Sequence, residues 1–196
     1  KSEVRRYLAG LDPARATDEF RLGPQVHLDD YPYVHLMRHI SRELRRRRSH
    51  PVFFATDAEP FLEPADWLTL STLLDEDHAQ LHRPPVPVED PAAHLLGRFD
   101  RARAAAGLPA PFARLAPGER TALEHAIAED AVAVARSLAC ARPESPTGRT
   151  VVIELSRGAG QALRPPFPSP WGYAHSLARL SPTILERASI LYVWVT

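Results

Sequence analysis

The sequence predicts an α/β layer fold, and three observations carry that expectation. Short β-branched and apolar runs alternate with stretches of helical periodicity. The run Thr150-Val-Val-Ile-Glu-Leu155 is apolar on both faces, as suits a strand buried in a parallel sheet. Residues 56–147, mainly helical in pattern, separate that run from an earlier strand around His27, whereas ordinary connections take about 2–6 residues. We therefore expect a core built from residues 1–55 and 148–196, with residues 56–147 inserted as a helical, proline-rich, substrate-selecting region.

Taken in order, Val4, Tyr7, Leu8 and Leu11 recur at spacings of three and four, the stripe of an amphipathic helix that closes near Gly10. A polar loop follows, then Pro24-Gln-Val-His-Leu-Asp-Asp-Tyr-Pro-Tyr33, read as a short strand ending in two acids and a turn. Val34, Met37, Ile40 and Leu44 mark a second helix that ends in Arg45–Arg48. Pro51-Val-Phe-Phe-Ala-Thr56 is β-branched and aromatic and reads as a strand. Asp66–Leu74 reads as a helix, and His82–Pro91, with four prolines, as an extended connector. Ala92–Ala106 and Pro117–Ala141 read as helices, the second with one face of Leu123, Ile127, Ala131, Val134 and Leu138. After the strand at Val151 come Gly158 and Gly160, a proline-rich loop, a helix from Tyr173 to about Arg187 kinked at Pro182, and a strand pattern over Ile190–Val195.

Composition excludes several classes. The 24 basic residues balance 24 acids, and Lys1 is the sole lysine. Zero net charge argues against a nucleic-acid or membrane-surface protein driven by bulk electrostatics. The apolar runs are far shorter than the 20 or so residues that cross a bilayer. Cys140 stands alone, which excludes an internal disulfide framework or a cysteine zinc cluster, and it reads as a small buried residue. Lys1–Gly10 has no apolar stretch of signal-peptide type, so the expected setting is cytoplasmic. Both ends read as cut from something longer.

Chemistry concentrates at four places. Lys1-Ser2 opens directly into a helix, as the end of a phosphate loop G-x-x-x-x-G-K-[ST] does. A helix N-terminus offers free N–H groups and a positive dipole end to an anion. A compact lysine ammonium suits that position better than a guanidinium. A chance boundary explains Lys1 equally simply. Asp29 and Asp30 close the first strand, where open α/β sheets place ligands, and one carboxylate there can bind Mg²⁺ or take a proton from a hydroxyl. A turn-forming acid pair capping the next helix is the alternative. Glu154 closes the Val151 strand at a metal-side position or as a structural acid, and Arg157 faces phosphate or solvent. His35 and His39 have zinc-helix spacing without the metalloprotease glutamate or an obvious third ligand, so they read as ordinary helical histidines. Arg45–Arg48 reads as a solvated helix end or a phosphate contact.

The order Lys1-Ser2-helix, His27-Leu-Asp-Asp-Tyr, inserted helices, Val151-Val-Ile-Glu and Ile190-Leu-Tyr-Val-Trp-Val resembles P-loop kinases of the uridine-kinase-like branch. The resemblance covers about half of the chain, and Pro32 departs from the family's tyrosine. It implies a three-layer sandwich with a parallel sheet whose central strand would precede Lys1, and Mg²⁺- and ATP-dependent phosphoryl transfer to a small hydroxyl-bearing acceptor. It assigns the base to Asp29, with Asp30 as alternate, phosphate contacts to Lys1, Ser2 and Arg157, and the metal shell to Ser2 and Glu154. A nucleotide-binding regulatory module without kinase activity is the alternative reading. On this expectation the 196-residue segment alone binds ATP weakly, and tight binding by calorimetry would overturn it.

Overall fold

The computed structural model describes residues 2–81, 83, 84, 86–141, 149–154, 180–186 and 188. The elements are α1 (Ser2–Ala9), α2 (Pro13–Phe20), β1 (Gln25–Asp29), α3 (Tyr31–Arg46), α4 (Asp66–Leu81), α5 (Pro91–Ala105), a 3₁₀ turn (Phe112–Arg114), α6 (Pro117–Ala141), β2 (Thr150–Glu154) and α7 (Pro182–Leu185). Strands β1 and β2 pair in parallel, from Gln25 opposite Thr150 to Asp29 opposite Glu154. A parallel pair demands a crossover, here one that contains α3 to α6. The protein is thus mixed α/β, dominated by helices, with a small parallel sheet among the described residues.

Alternation along β1 buries Val26 and Leu28, while Val151 and Ile153, their partners in register, pack against the same core. Helices α4 and α6 lie against β1, α3 packs on α6, and α5 lies against both α4 and α6. One cluster of buried side chains runs from Val26 through Tyr33, Met37, Trp67 and Phe99 to Ile127 and Ala131. Phe99 sits among aromatic rings, 5.3 Å from Phe53, 6.3 Å from Tyr33 and 6.4 Å from Phe112, centroid to centroid. Edge and tilted ring pairs of this kind add about 0.5–1.5 kcal/mol beyond the area that they bury.

The sequence expectations hold for α3, α5, α6 and both described strands, whose periodicities suffice. Three others need correction. The polar loop after Gly10 contains α2, signalled by Asp12 ahead of Pro13: the Asp12 carboxylate accepts from the Ala14 and Arg15 N–H groups at 3.0 and 3.1 Å. Pro51–Thr56 is not a strand. Phe53 and Phe54 enter the core from a loop, and the Ser41 hydroxyl oxygen accepts both of their N–H groups, at 3.0 and 3.1 Å. One antiparallel bridge to Phe61 is the only strand-like pairing there. Aromatic burial, not ladder formation, is what those residues serve. In α1 the expected stripe is not all buried, since Tyr7 is exposed. The expected final strand, and most of the helix read from Tyr173, lie outside the described residues; within them only the short α7 is formed.

Two buried charged groups tie the helices together. Arg98, 5% exposed, donates through Nε to Glu76 at 2.7 Å, through Nη1 to the Tyr33 hydroxyl at 2.9 Å, and through Nη2 to Asp77 at 2.8 Å and the Leu73 carbonyl at 3.1 Å. The Tyr33 hydroxyl in turn donates to Asp77 at 2.6 Å. Burial and the nearby Asp77 charge push Tyr33 well above its usual pKa. Burial opposes the Arg98 charge, but Tyr33, Asp77 and Glu76 outweigh it and hold the guanidinium protonated. Arg103 stacks over Phe53, at 5.2 Å from the ring centroid, and lies 3.2 Å from Asp66 Oδ2 without hydrogen-bond alignment. Burial raises Asp66 from 3.8 to about 7, against the lowering effect of Arg103 and Thr69.

Two predictions follow from these pairs. Arg98→Met strands buried Asp77 and should cost about 3–5 kcal/mol in urea unfolding, with adding Asp77→Leu recovering part of the loss. Native Asp66 keeps its proton up to about pH 7, whereas the unfolded chain releases it near pH 4. Asp66 therefore lowers stability as pH rises across that window, by on the order of 4 kcal/mol. Asp66→Asn should remove this part of the decline, so its urea midpoint should gain on the parent's between pH 4 and 7.

Candidate functional site

The first candidate site lies at the carboxyl end of the sheet. Strand β1 ends at Asp29 and β2 ends at Glu154, and the two residues stand opposite one another in register. Parallel strands put their ends on one edge of the layer, which is why two acids far apart in sequence arrive together. Asp29 Oδ1 accepts the Tyr31 N–H at 2.9 Å, an Asx turn that launches α3, and Pro32 supplies the fixed φ of a first helical turn. The turn-forming alternative is therefore realised by one oxygen of Asp29. Asp30 occupies the N-cap position with its side chain buried and making no cap bond to the helix, while its carbonyl accepts the Val34 N–H at 3.0 Å.

Ser2 is the first residue of α1, and the last turn of that helix meets the start of β1 where Gln25 Nε2 donates to the Leu8 carbonyl at 3.3 Å. Lys1 and Arg157 lie outside the described residues, as do Gly158 and Gly160. For Ser2 and Glu154 the backbone alone is described. The structure thus brings together Asp29, Asp30 and Glu154. Mg²⁺ takes one or two protein carboxylates and completes its octahedron with phosphate and water, so this donor set fits it in kind. Among the described residues, no three His, Cys, Asp or Glu side chains already stand at metal-ligand spacing.

The remaining sequence candidates resolve differently. Arg45 donates to the Phe54 carbonyl at 3.0 Å and lies 3.5 Å from Asp57, while Arg46 and Arg47 reach Glu43 at 2.5 and 3.5 Å. Arg47 also donates to the Ala122 carbonyl at 3.1 Å. Three arginines of the run are thus engaged in holding the end of α3, rather than forming a purely solvated end. Arg48, at φ 61°, terminates the helix in the left-handed region. Cys140 is exposed near the end of α6, not buried. His35 and His39 gain a partner that their own helix does not supply: Asp130 of α6 lies 2.6 Å from His39 Nδ1 and 3.9 Å from His35 Nε2. Glu43 Oε1 stands 3.9 Å from His39 Nε2 on the other side of the ring. No local signal could have revealed Asp130, because it comes from a different helix.

No family model, no curated protein and no solved structure matches the chain. Among the described residues no helix is long and apolar enough to cross a membrane.

Proposed function

We propose that the chain carries part of the active site of a cytoplasmic, Mg²⁺- and ATP-dependent phosphotransferase of P-loop kinase fold that acts on a small hydroxyl-bearing acceptor. The observation that carries this reading is the registered pair Asp29 and Glu154 at the carboxyl ends of two parallel strands. The helix that opens with Ser2, tied at its other end to the start of β1, supports it. A helix lying antiparallel to β1 would direct its N–H groups toward the same end of the sheet as the two acids.

Each residue then has a physical task. Asp29 orients the acceptor hydroxyl and takes its proton as the oxygen attacks; its turn to the Tyr31 N–H fixes the carboxylate on a rigid strand–helix junction. Asp30 is the alternate for that role. Lys1 holds the terminal phosphate oxygens, and Arg157 assists it. Ser2 and Glu154 hold the metal shell. Bound Mg²⁺ supplies charge neutralisation on the phosphates. The helices of residues 56–147 shape the acceptor side.

The test uses the full protein, with radiolabelled ATP and a panel of nucleosides, sugars and amino alcohols. Asp29→Asn should lower kcat for phosphoryl transfer by about 10²–10⁴-fold and leave the KM for ATP within a few-fold. Transfer that persists undiminished removes Asp29 from the base role. Nucleotide binding without transfer to any acceptor would instead support a regulatory nucleotide-binding module.

A further inference from the structure

Helix α6 is too apolar for the place that it occupies. Its inner face buries Leu123, Ile127 and Ala131 in the core, yet the outer face of its second half is apolar as well. Within residues 131–141 Arg136 is the sole charged side chain, although charged residues make up 24% of the chain. Val132 is 41% exposed, and Ala133 beside it is exposed too. With Ala128, Glu129 and Arg136 they line an open hollow on the helix surface. A helix that is apolar on all sides is normally covered on all sides, whereas a solvent-facing one carries a polar outer stripe.

The arrangement of charge around this hollow indicates what covers it. The outer line of α6 runs through His125, Glu129, Val132 and Ala133, Arg136 and Cys140, all exposed and at helical spacings of three and four. That line is symmetric about the point between Val132 and Ala133, with Glu129 and Arg136 equally far from it and opposite in charge. Seven residues of helix hold these two about 10 Å apart, beyond each other's reach. Neither forms an ion pair with another described residue. A two-fold axis through the midpoint sets Glu129 opposite the partner subunit's Arg136, and Val132 against the partner subunit's Ala133. From this symmetry we propose that the outer face of α6 is the interface of a homodimer, in which two copies of the chain pair antiparallel.

A parallel pair would put Glu129 level with Glu129 and Arg136 level with Arg136, like charges at both ends, so the charges select the antiparallel one. A two-fold contact is self-complementary, and a single surface supplies both halves. The small Ala133 opposite Val132 lets the helix axes approach to about 8 Å, the close end of helix packing. One helix face per copy is at the low end of specific interfaces, so the association is weak and reversible. It does not depend on the phosphotransferase reading, none of whose residues lies on α6.

The experiment is sedimentation equilibrium of the 196-residue chain from micromolar to millimolar concentration. We expect a reversible monomer–dimer equilibrium. Glu129→Arg and Arg136→Glu each set like charges opposite one another at both ends, and each should weaken dimerisation about tenfold or more. The two changes combined in one chain restore opposite charges and should restore the parental dimer. Both positions are exposed, so the variants should keep their fold, as circular dichroism would verify. Orientation is read by cross-linking. Val132→Cys in a Cys140→Ser background should form an intermolecular disulfide on oxidation, because position 132 lies beside the axis. Cys140 in the parent should not, because antiparallel pairing holds the two copies of it about 22 Å apart along the helices. A chain that stays monomeric at millimolar concentration, a dimer indifferent to either charge reversal, reversals that add instead of cancelling, or ready cross-linking through Cys140 would each overturn the proposal.

Discussion

The buried guanidinium of Arg98 is the constraint around which the described helices are organised. A charge taken out of water costs several kcal/mol unless its donors are met, and leaving a buried partner alone costs about 3–5 kcal/mol. Arg98 meets this demand with oxygens from two other helices, Tyr33 of α3 and Leu73, Glu76 and Asp77 of α4. That requirement fixes where α5 lies against α4 and where the first turn of α3 must be. Tyr33 follows Asp30 by three residues, so the network that closes the core also holds the junction at which Asp29 and Asp30 sit. On the phosphotransferase reading proposed above, these carboxylates need placement within a fraction of an ångström, and a rigid element anchored in the core provides it better than a loop.

The same logic governs the loops. Phe53, Phe54 and Phe112 bring large apolar area into the core, and their backbone N–H groups would be stranded there. Small polar side chains already on helices receive them: Ser41 accepts from Phe53 and Phe54, and Asp100 accepts from Phe112 and Ala113 at 3.0 and 2.7 Å. A stranded buried N–H costs about 1–3 kcal/mol, comparable to what burying one aromatic ring gains. Without Ser41 and Asp100 the aromatic anchors would therefore contribute little. This is why a run rich in β-branched and aromatic residues at Pro51–Thr56 stays a loop: the N–H groups of Phe53 and Phe54 are met by Ser41 of α3, and no strand ladder is needed.

The parts of the fold that were legible in sequence are those ruled by periodicity. Helix α3 shows buried Met37, Ile40 and Leu44 at helical spacing, and β1 shows strict alternation, so both could be read directly. Helix α2 was legible too, in Asp12-Pro13, but its short polar pattern looks like a loop unless the cap is weighed. Arg98 and Asp77 could not be read as core residues, since charged side chains on helices ordinarily face solvent and only a tertiary partner makes them buryable. The carboxyl-end acids were legible because a rule of parallel sheets places them. His39 and Asp130 were not, because 91 residues separate them and only the packing of α3 on α6 joins them.

Helix α3 therefore makes two kinds of polar contact along its length, one buried and one at the surface. Its first turn is held by Tyr33, buried and hydrogen-bonded to both Arg98 and Asp77. Its middle turns present His35 and His39 at the surface against a single residue of α6. Changing the His39–Asp130 contact is a side-chain rotation on a half-exposed seam, within ordinary rotamer freedom. Shifting the start of α3 would instead require breaking both hydrogen bonds of the buried Tyr33 hydroxyl, one to the Arg98 cation and one to Asp77. The second change strands buried polar groups and the first does not, so the start of α3 is the more firmly held. The placement of Asp29, four residues before the Tyr33 anchor, is then set by the core and not by the seam.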